Sequence, residues 1–389
     1  MIAPRVLQVL QIGTTWYPQD HSSGGIRRYY RGLLDSLPRA SCSVHGLVLG
    51  SPSVSDDTGG LVESFGLVSD PILNRCLRVR RSYRRALTKF PADLIAVHFA
   101  LYALPILDLL ERLPLVVHFH GPWADEAFVE GESEVIVRIK RFVERVVYLR
   151  GARFIVLSRA FARVLEERYG VGVEKIRVIP GGVDLAQFEV SVSRTEARKR
   201  LGWASHRPIL LSVRRLAARM GLDVLVRAMV RVRERVPDAL LQIAGQGRLR
   251  DQLARLIREL DLDQHVSLLG YVPEELLPMA YCAADLTVVP SLAHEGFGLT
   301  IVESLAVGTP VLGTRVGGIA EILEPFSPGL LTDGSEACDP RQLGDVIVQC
   351  LSGQRKLPTA IECRRYVNRF SWSLIGPQIA AVYREATCE

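Results

Sequence analysis

PSLAHEGFGLTIVESLAVGTPVLGT, residues 290–314, is the stretch that decides the fold of this 389-residue chain. The residues just before it, 286–289, form an apolar run with β-branched side chains, which predicts a buried parallel strand. Its second apolar segment, 310–313, predicts another strand. Between the two, a glycine loop is followed by an amphipathic helix that should begin near Gly298 or Leu299. This order of elements is typical of an α/β domain with a parallel sheet.

Two carboxylates, Glu295 and Glu303, flank the predicted helix start. A helix start offers unpaired N–H groups and a partial positive charge, which suits a phosphate. Gly296 and Gly298 would let a ligand approach the backbone closely. Glu295 stands before the helix, and Glu303, one turn inside it, could accept hydrogen bonds from two adjacent hydroxyls of a ribose. The alternative is a pair of solvated glutamates beside a turn.

With the GTPVLGTRVGG that ends at Gly318, this stretch resembles the retaining glycosyltransferases of family 4, which include bacterial mannosyl- and glucosyltransferases and sucrose synthase. The resemblance covers nearly the whole chain. It implies the α/β fold class called GT-B, with two Rossmann-like, doubly wound domains facing across a cleft. The expected N-terminal, acceptor-binding domain comprises residues 1–188 plus a C-terminal helix, about 371–389, that crosses back to it. Residues 189–370 would form the donor-binding domain.

The composition describes an ordinary soluble protein, with 48% hydrophobic and 23% charged residues. A net charge of +6 is too mild to indicate nucleic acid as a partner. The seven cysteines include no C-x-x-C pair, which favours free thiols in a reducing cytosol and no metal site. The N-terminal apolar run is too short for a signal peptide, and no stretch approaches the ~20 apolar residues of a membrane helix. We therefore expect a cytoplasmic protein, or one peripheral to the inner face of the membrane.

Glycines and histidines mark the ends of predicted strands in the first half. Gly24 and Gly25 follow a strand over residues 6–12 and precede an amphipathic helix, which is the pattern of either an anion pocket or a plain turn. Two further strands lead into His98 and into the pair His118 and His120, and ligands bind at the carboxyl ends of such strands. These histidines could instead be core residues. The resemblance implies that Gly24 and Gly25 lie beside the diphosphate and acceptor and that His120, or less favourably His118, contacts the transferred sugar.

Residues 74–90, NRCLRVRRSYRRALTKF, carry seven basic side chains and no acidic one. Apolar residues recur here at roughly helical spacing and form a predicted apolar stripe: Leu73, Leu77, Val79, Tyr83 and Leu87. The pattern is typical of a helix on an anionic membrane surface, or of a solvated helix face. A contact with the membrane would concern the acceptor and not the chemistry.

Arginines follow the first predicted strand of the second domain, residues 208–213. An arginine at a strand end can hold a diphosphate bidentately and offset its charge as it leaves. The resemblance implies this role for Arg215. Its accompanying lysine aligns with Met220, whose thioether cannot neutralise phosphate, and Arg219 is the substitute that the sequence offers.

The remaining donor-binding candidates lie on loops and on the predicted helix start. The resemblance implies that the backbone near Tyr271 and Val272 contacts the nucleobase, and Gly245 either approaches the ligand or only turns the chain. Four further donor-binding candidates lie at the predicted start of the helix in residues 290–314: Phe297, Gly298, Leu299 and Thr300. Glu303 would hold the ribose, and Glu295 the hydroxyls of the donor sugar.

The sequence thus predicts a retaining glycosyltransferase that moves a sugar from a UDP- or GDP-linked donor to an acceptor hydroxyl. No DxD-like metal motif is visible, so no metal or other cofactor is expected. The acceptor, which could be a saccharide, a lipid-linked saccharide or a small molecule, is not identified by the sequence. Two alternatives stay open. One is a sugar-nucleotide epimerase, which would need other acids, and one is a degenerate subunit that binds partners, which Met220 favours.

Overall fold

The computed structural model describes residues 5–16, 24–111, 113–334 and 339–388. The chain divides into two compact units. The first comprises Met1–Gly182 together with Trp372–Glu389, and the second comprises Val183–Ser371. The division expected from the sequence, after residue 188, lies slightly C-terminal of this one.

The described part of the first unit contains a parallel sheet of seven strands in the order β3-β2-β1-β4-β5-β6-β7. β4 and β5 are buried along their whole length, as the unbroken apolar sequence of β4 and the mostly apolar sequence of β5 predict. The strands are β1 (Leu7–Thr15), β2 (Cys42–Leu49), β3 (Val62–Gly66), β4 (Leu94–Val97), β5 (Leu115–Phe119), β6 (Gly151–Val156) and β7 (Ile176–Val178). The helices that connect them are α1 (Gly25–Ser36), α2 (Val54–Asp57), α3 (Ile72–Lys89), α4 (Ala100–Ala103), α5 (Trp123–Val129), α6 (Glu134–Tyr148) and α7 (Arg159–Tyr169).

The second unit repeats this topology. In its described residues, six parallel strands lie in the order β10-β9-β8-β11-β12-β13. They are β8 (Ile209–Val213), β9 (Leu240–Ala244), β10 (Val266–Gly270), β11 (Leu286–Val289), β12 (Val311–Thr314) and β13 (Leu331–Thr332). The helices are α8 (Arg194–Leu201), α9 (Leu222–Arg235), α10 (Arg250–Glu259), α11 (Leu277–Ala283), α12 (Leu299–Val307), α13 (Gly318–Leu323), α14 (Pro340–Leu351) and α15 (Ala360–Val367). The strand predicted before the glycine loop is confirmed at Leu286–Val289.

The last helix, α16 (Trp372–Thr387), belongs to the first unit. Trp372 packs against two glycines, since a Cβ added to Gly32 or Gly182 would lie 2.1 or 2.4 Å from its indole ring. Tyr383 is buried, and its hydroxyl lies 2.6 Å from Nε2 of His118. The prediction of a C-terminal helix that returns to the N-terminal domain is therefore confirmed.

Helix α12 differs from its prediction in one respect. It begins at Leu299 as expected, but every residue from Thr300 to Val307 is buried, so it is not amphipathic. α11 and α15 pack against it and cover the side that the sequence suggested was exposed. In the part of the chain that the structure describes, no helix is both long enough and apolar enough to cross a membrane.

A buried glutamate secures the turn between β5 and α5. The Glu144 carboxylate accepts hydrogen bonds from the backbone N–H groups of Trp123 (2.8 Å) and Ala124 (3.2 Å) and from the Tyr169 hydroxyl (2.8 Å). Burial raises the pKa of Glu144 from 4.5 to about 7, although these hydrogen bonds oppose the shift. Between those pH values the folded protein holds a proton that the unfolded chain has released, so the free energy of unfolding falls as the pH rises.

We predict that the Glu144 contribution to the free energy of unfolding falls by roughly 3 kcal/mol as the pH rises from below 4.5 to above 7. The Glu144→Gln variant lacks this titration and should lose most of that dependence. Urea unfolding at pH 5 and pH 8, compared between variant and wild type, measures the difference. The exposed Glu167→Gln serves as the control and should follow the wild type. Equal pH dependence for Glu144→Gln and wild type would contradict the assignment.

Candidate functional site

The strand order of the second sheet reverses between β8 and β11. In open parallel sheets this point leaves a crevice at the carboxyl ends of the strands, where ligands bind. Arg214 directly follows β8, and the loop from Pro290 to Glu295 directly follows β11. The stretch of residues 290–314 therefore begins at the point where the strand order reverses, which we call the switch point.

A buried ion pair joins the two strand ends. Nη2 of Arg214 donates hydrogen bonds to Oε2 of Glu295 and to Oγ of Ser291, and the Ser291 hydroxyl donates to the same carboxylate oxygen at 3.1 Å. Burial by itself would raise the pKa of Glu295. The charge and hydrogen bond of Arg214, together with the charge of Arg219 and the hydrogen bond from Ser291, outweigh burial, so the pKa lies below its usual value. Glu295 is therefore an ionised hydrogen-bond acceptor at neutral pH.

Arg214 also lies beside Met220, the residue that aligns with the lysine of the family pattern. Its Nη2 is 3.1 Å from Sδ of Met220. A guanidinium thus occupies the surroundings of the thioether that cannot carry charge. Its Nε is buried and has no hydrogen-bond partner among the described residues. Our sequence reasoning missed Arg214, although the arginine doublet at the strand end was a signal for it.

The two arginines that the sequence singled out are placed differently. Arg215 is exposed. Arg219 is 7% exposed, and its Nη1 donates to the backbone oxygen of His294 at 2.9 Å. Its positive charge also helps to lower the pKa of Glu295. Arg219 therefore both holds the loop before Glu295 and adds positive potential to it.

Close contact with the backbone of residues 295–297 explains why glycine occupies positions 317 and 318. Gly317 has φ +52°, and a Cβ there would lie 2.0 Å from the backbone oxygen of Glu295. The N–H of Gly318 donates to that same oxygen at 2.9 Å. Only glycine permits this approach, which fixes the backbone that carries the Glu295 carboxylate.

The start of α12 has the form predicted for an anion site. Gly298 is the N-cap, with φ +94°. Thr300 is buried, and its hydroxyl has no hydrogen-bond partner among the residues described. Leu299 is half-buried. Phe297 is different, because its ring packs on Phe370 at a centroid distance of 5.5 Å, so any ligand contact there would use its backbone.

Glu303 lies one turn into α12 and is 2% exposed. Its Oε2 accepts a hydrogen bond from the Tyr281 hydroxyl at 2.9 Å. This contact rules out the solvated-glutamate interpretation for Glu303. The carboxylate is held in a fixed orientation, as a group that reads two hydroxyls must be.

Close packing explains the glycine at position 245, in the loop after β9. A Cβ on Gly245 would lie 1.8 Å from the backbone oxygen of Arg214, and its φ is +143°. Its N–H already donates to the backbone oxygen of Gly270 at 2.7 Å. Tyr271 and Val272 follow β10 directly and are half-buried. Gly245 thus positions the end of β8, and its contact with a donor stays a prediction.

In the first unit the strand order reverses between β1 and β4. Gly25 is the first residue of α1, and Gly24 is its N-cap. A Cβ on Gly24 would meet no atom of the described residues within 4 Å. Residues 17–23 of the preceding loop lie outside the described residues.

His98 directly follows β4, and His120 directly follows β5. Nδ1 of His98 lies 3.0 Å from Nε2 of His120. His120 is half-buried, and burial lowers its pKa to about 4, so its imidazole is neutral at pH 7. His118 is a core residue, because its two ring nitrogens contact the hydroxyls of Tyr29 (3.2 Å) and Tyr383 (2.6 Å). Of the two predicted histidines, His120 is therefore the one placed at a strand end.

Comparisons with known proteins agree with this arrangement. The profile described as "Glycosyl transferases group 1" matches residues 193–366, and "Glycosyltransferase Family 4" matches residues 23–187. A D-inositol 3-phosphate glycosyltransferase of Nocardia farcinica is 35% identical over 288 residues, which are 72% of this chain and 62% of that protein. The chain thus aligns with about three fifths of that relative's length.

Solved structures share the fold. Sucrose-phosphate synthase from Thermosynechococcus elongatus has a TM-score of 0.79 at 23% identity, over 98% of this chain and 99% of the other. The Anabaena protein HepE, solved in complex with UDP, has a TM-score of 0.75 at 22% identity, over 97% of this chain and 100% of the other. Together with the two profiles, these findings show that the chain belongs to the family 4 glycosyltransferases and has the GT-B fold.

Proposed function

We propose that this protein is a retaining glycosyltransferase that transfers a sugar from a nucleoside-diphosphate sugar to an acceptor hydroxyl without a metal ion. The observation that carries the proposal is the cluster at the switch point of the second sheet. There an ionised Glu295 lies beside Arg214, and the start of α12 carries the Thr300 hydroxyl, which lacks a partner among the described residues. Anionic and hydroxyl-rich ligands need this combination of donors and acceptors.

The roles follow from the chemistry of each group. The start of α12 and the arginines Arg214, Arg215 and Arg219 bind the diphosphate and stabilise its charge as it leaves. Glu295 accepts hydrogen bonds from the donor sugar, and Glu303 from the ribose. Gly24 and Gly25 border the diphosphate and acceptor, and His120 contacts the sugar. The backbone near Tyr271 and Val272 reads the base.

Retention of configuration has a simple course here. The acceptor oxygen forms its bond to the anomeric carbon on the face from which the diphosphate departs. The bond between that carbon and the diphosphate oxygen breaks, and the hydroxyl proton passes to a phosphate oxygen of the leaving group. The cations that hold the diphosphate make it a better leaving group, so no bound metal ion is required in this scheme.

The degenerate-subunit alternative loses its main support. It rested on Met220 at the lysine position, and the guanidinium of Arg214 lies 3.1 Å from that sulfur. In the described residues, no group of three His, Cys, Asp or Glu side chains is arranged to hold a metal ion. Independence from metal stays a prediction that titration can test.

We predict that one of UDP, GDP, ADP and dTDP binds the purified protein with micromolar affinity, and that EDTA leaves this affinity unchanged. UDP is the first choice, because the Anabaena protein of the same fold was solved with UDP. Isothermal titration calorimetry, run without and with EDTA, measures the affinity for each nucleotide and any change that EDTA causes. The binding nucleotide then identifies the donor to test for transfer. If none of the four bound, the donor site proposed here would be wrong.

We predict that Arg214→Gln, combined with Glu295→Gln so that no buried charge is left alone, weakens nucleoside-diphosphate binding by about 10- to 100-fold. Affinity for the corresponding nucleoside should change little, because it has no phosphate. The single variant Glu295→Gln separates the two contributions, and Arg235→Gln, at an exposed arginine of α9, is the control. If Arg219→Gln lost diphosphate affinity while the double variant kept it, Arg219 would be the substitute for the lysine.

We also propose that the first unit contacts an anionic membrane through α3. Ile72, Leu73 and Leu77 are 56%, 71% and 58% exposed, although Val79 and Tyr83 of the predicted apolar stripe are buried. Four of the seven basic side chains pair with acids, through Arg78–Asp70, Arg80–Asp108, Arg85–Glu63 and Lys89–Glu63. The apolar end of the helix, more than its net charge, therefore supports this contact.

The neighbouring helix α6 adds to this surface. Val135, Ile139 and Phe142 are exposed on it, and both α3 and α6 pack on the segment Leu104–Leu109. Large apolar side chains exposed between basic ones suit the boundary between lipid headgroups and acyl chains. A membrane location would favour a lipid-linked acceptor.

We predict that the protein co-sediments with vesicles containing phosphatidylglycerol and that Leu73→Gln/Leu77→Gln lowers this binding by about 10-fold or more. Vesicles of phosphatidylcholine alone should bind more weakly. Leu374→Gln, at an exposed leucine of α16, is the control. Failure of the wild type to bind anionic vesicles at low salt would sink the membrane contact and leave the transferase proposal untouched.

A further inference from the structure

Three histidines of the first unit form a stack at the ends of β4 and β5. The rings of His98 and His118 lie 4.3 Å apart, those of His98 and His120 lie 5.3 Å apart, and each pair is within 18° of parallel. His98 is 3% exposed. The proposed chemistry uses His120 alone, so the buried His98 beside it has no assigned role.

One proton lies between His98 and His120. Nδ1 of His98 and Nε2 of His120 are 3.0 Å apart, a hydrogen-bond distance, so one nitrogen donates and the other accepts. A neutral imidazole carries its proton on one nitrogen only. The donor in this pair therefore determines which nitrogen of His120 carries the other proton.

The surroundings of His98 distinguish the two arrangements. Nε2 of His98 is buried and has no hydrogen-bond partner in the described part of the chain. If His98 accepted the shared proton, its own proton would lie on that nitrogen as a buried donor without a partner, which is costly. If His98 donates, Nε2 carries only a lone pair, which is tolerated better.

We propose that His98 is a positioning residue that holds His120 as its Nδ1–H tautomer. Nδ1 of His120 has no hydrogen-bond partner among the described residues, and its N–H is then a donor for an oxygen of the donor sugar. This use of the tautomer rests on the proposed function, but the tautomer itself does not.

The stack gives His98 a rigid support. Its backbone N–H donates to the oxygen of Ile12 at 3.0 Å, and the ring of Tyr30 meets it edge-on at 4.9 Å. On its other side, His118 is fixed by the hydroxyls of Tyr29 and Tyr383. Because Tyr383 lies on α16, the last helix of the chain helps to hold the ring that orients His120. Burial also lowers the pKa of all three histidines, which keeps them neutral.

The test is nitrogen-15 NMR of the histidine side chains in the full-length protein, with the His120 signals identified by their loss in His120→Gln. We expect Nδ1 of His120 to be protonated in the wild type. His98→Asn keeps a donor near the position of Nδ1 and should preserve this tautomer and most of kcat. His98→Phe keeps the bulk but no donor, and should shift His120 towards Nε2–H and lower kcat by about 10- to 100-fold, with a smaller change in KM.

His45→Phe removes a histidine of the same sheet outside the stack and should change neither readout. A wild-type His120 protonated at Nε2 would overturn the proposal. A correct tautomer with unchanged kcat in His98→Phe would overturn the positioning role. If instead His120→Gln left transfer intact, the sugar contact of the proposed function would fail while the tautomer assignment stood.

Discussion

The second unit depends on one buried interaction, the ion pair between Arg214 and Glu295. It ties the end of β8 to the loop after β11, across the point where the strand order reverses. Arg214 helps to keep Glu295 charged, because burial by itself would favour the neutral carboxylic acid. Three features support this ion pair. Positions 245 and 317 must be glycine, and Arg219 donates a hydrogen bond to the backbone oxygen of His294, the residue before Glu295.

The two units solve the same topological problem with different side chains. Both sheets are parallel, and both reverse their strand order beside their first strand. In the second unit the reversal is lined by charge and by a helix start, which suits a diphosphate. In the first it is lined by the neutral, stacked histidines, which suits hydroxyl groups. The division of labour proposed for donor and acceptor binding rests on this chemical difference more than on the shared architecture.

Much of this could be predicted from local patterns. Apolar runs with β-branched residues gave β5 and β11 at their observed bounds, because a strand that is buried on both faces is mostly apolar. The helix predicted over residues 74–90 is observed at Ile72–Lys89. Only the apolar residues of its second half are buried, since contacts from the rest of the unit decide which apolar residues are covered. α12 was wrongly predicted to be amphipathic, because its polar residues Thr300, Glu303 and Ser304 are buried with partners or at the site.

The sequence by itself determined the two parallel α/β units, the helix start at Leu299 and the presence of Glu295, Glu303 and His120 at strand ends or on the helix that follows. These features are local, because periodicity and glycine placement limit the backbone over a few residues. Only the tertiary structure decided that Arg214 and not its neighbour Arg215 pairs with Glu295, and that His98 lies against His120. Such pairs join residues 81 and 22 positions apart. The packing of adjacent strands decides which of these distant residues come into contact, and no local sequence pattern specifies such a pairing.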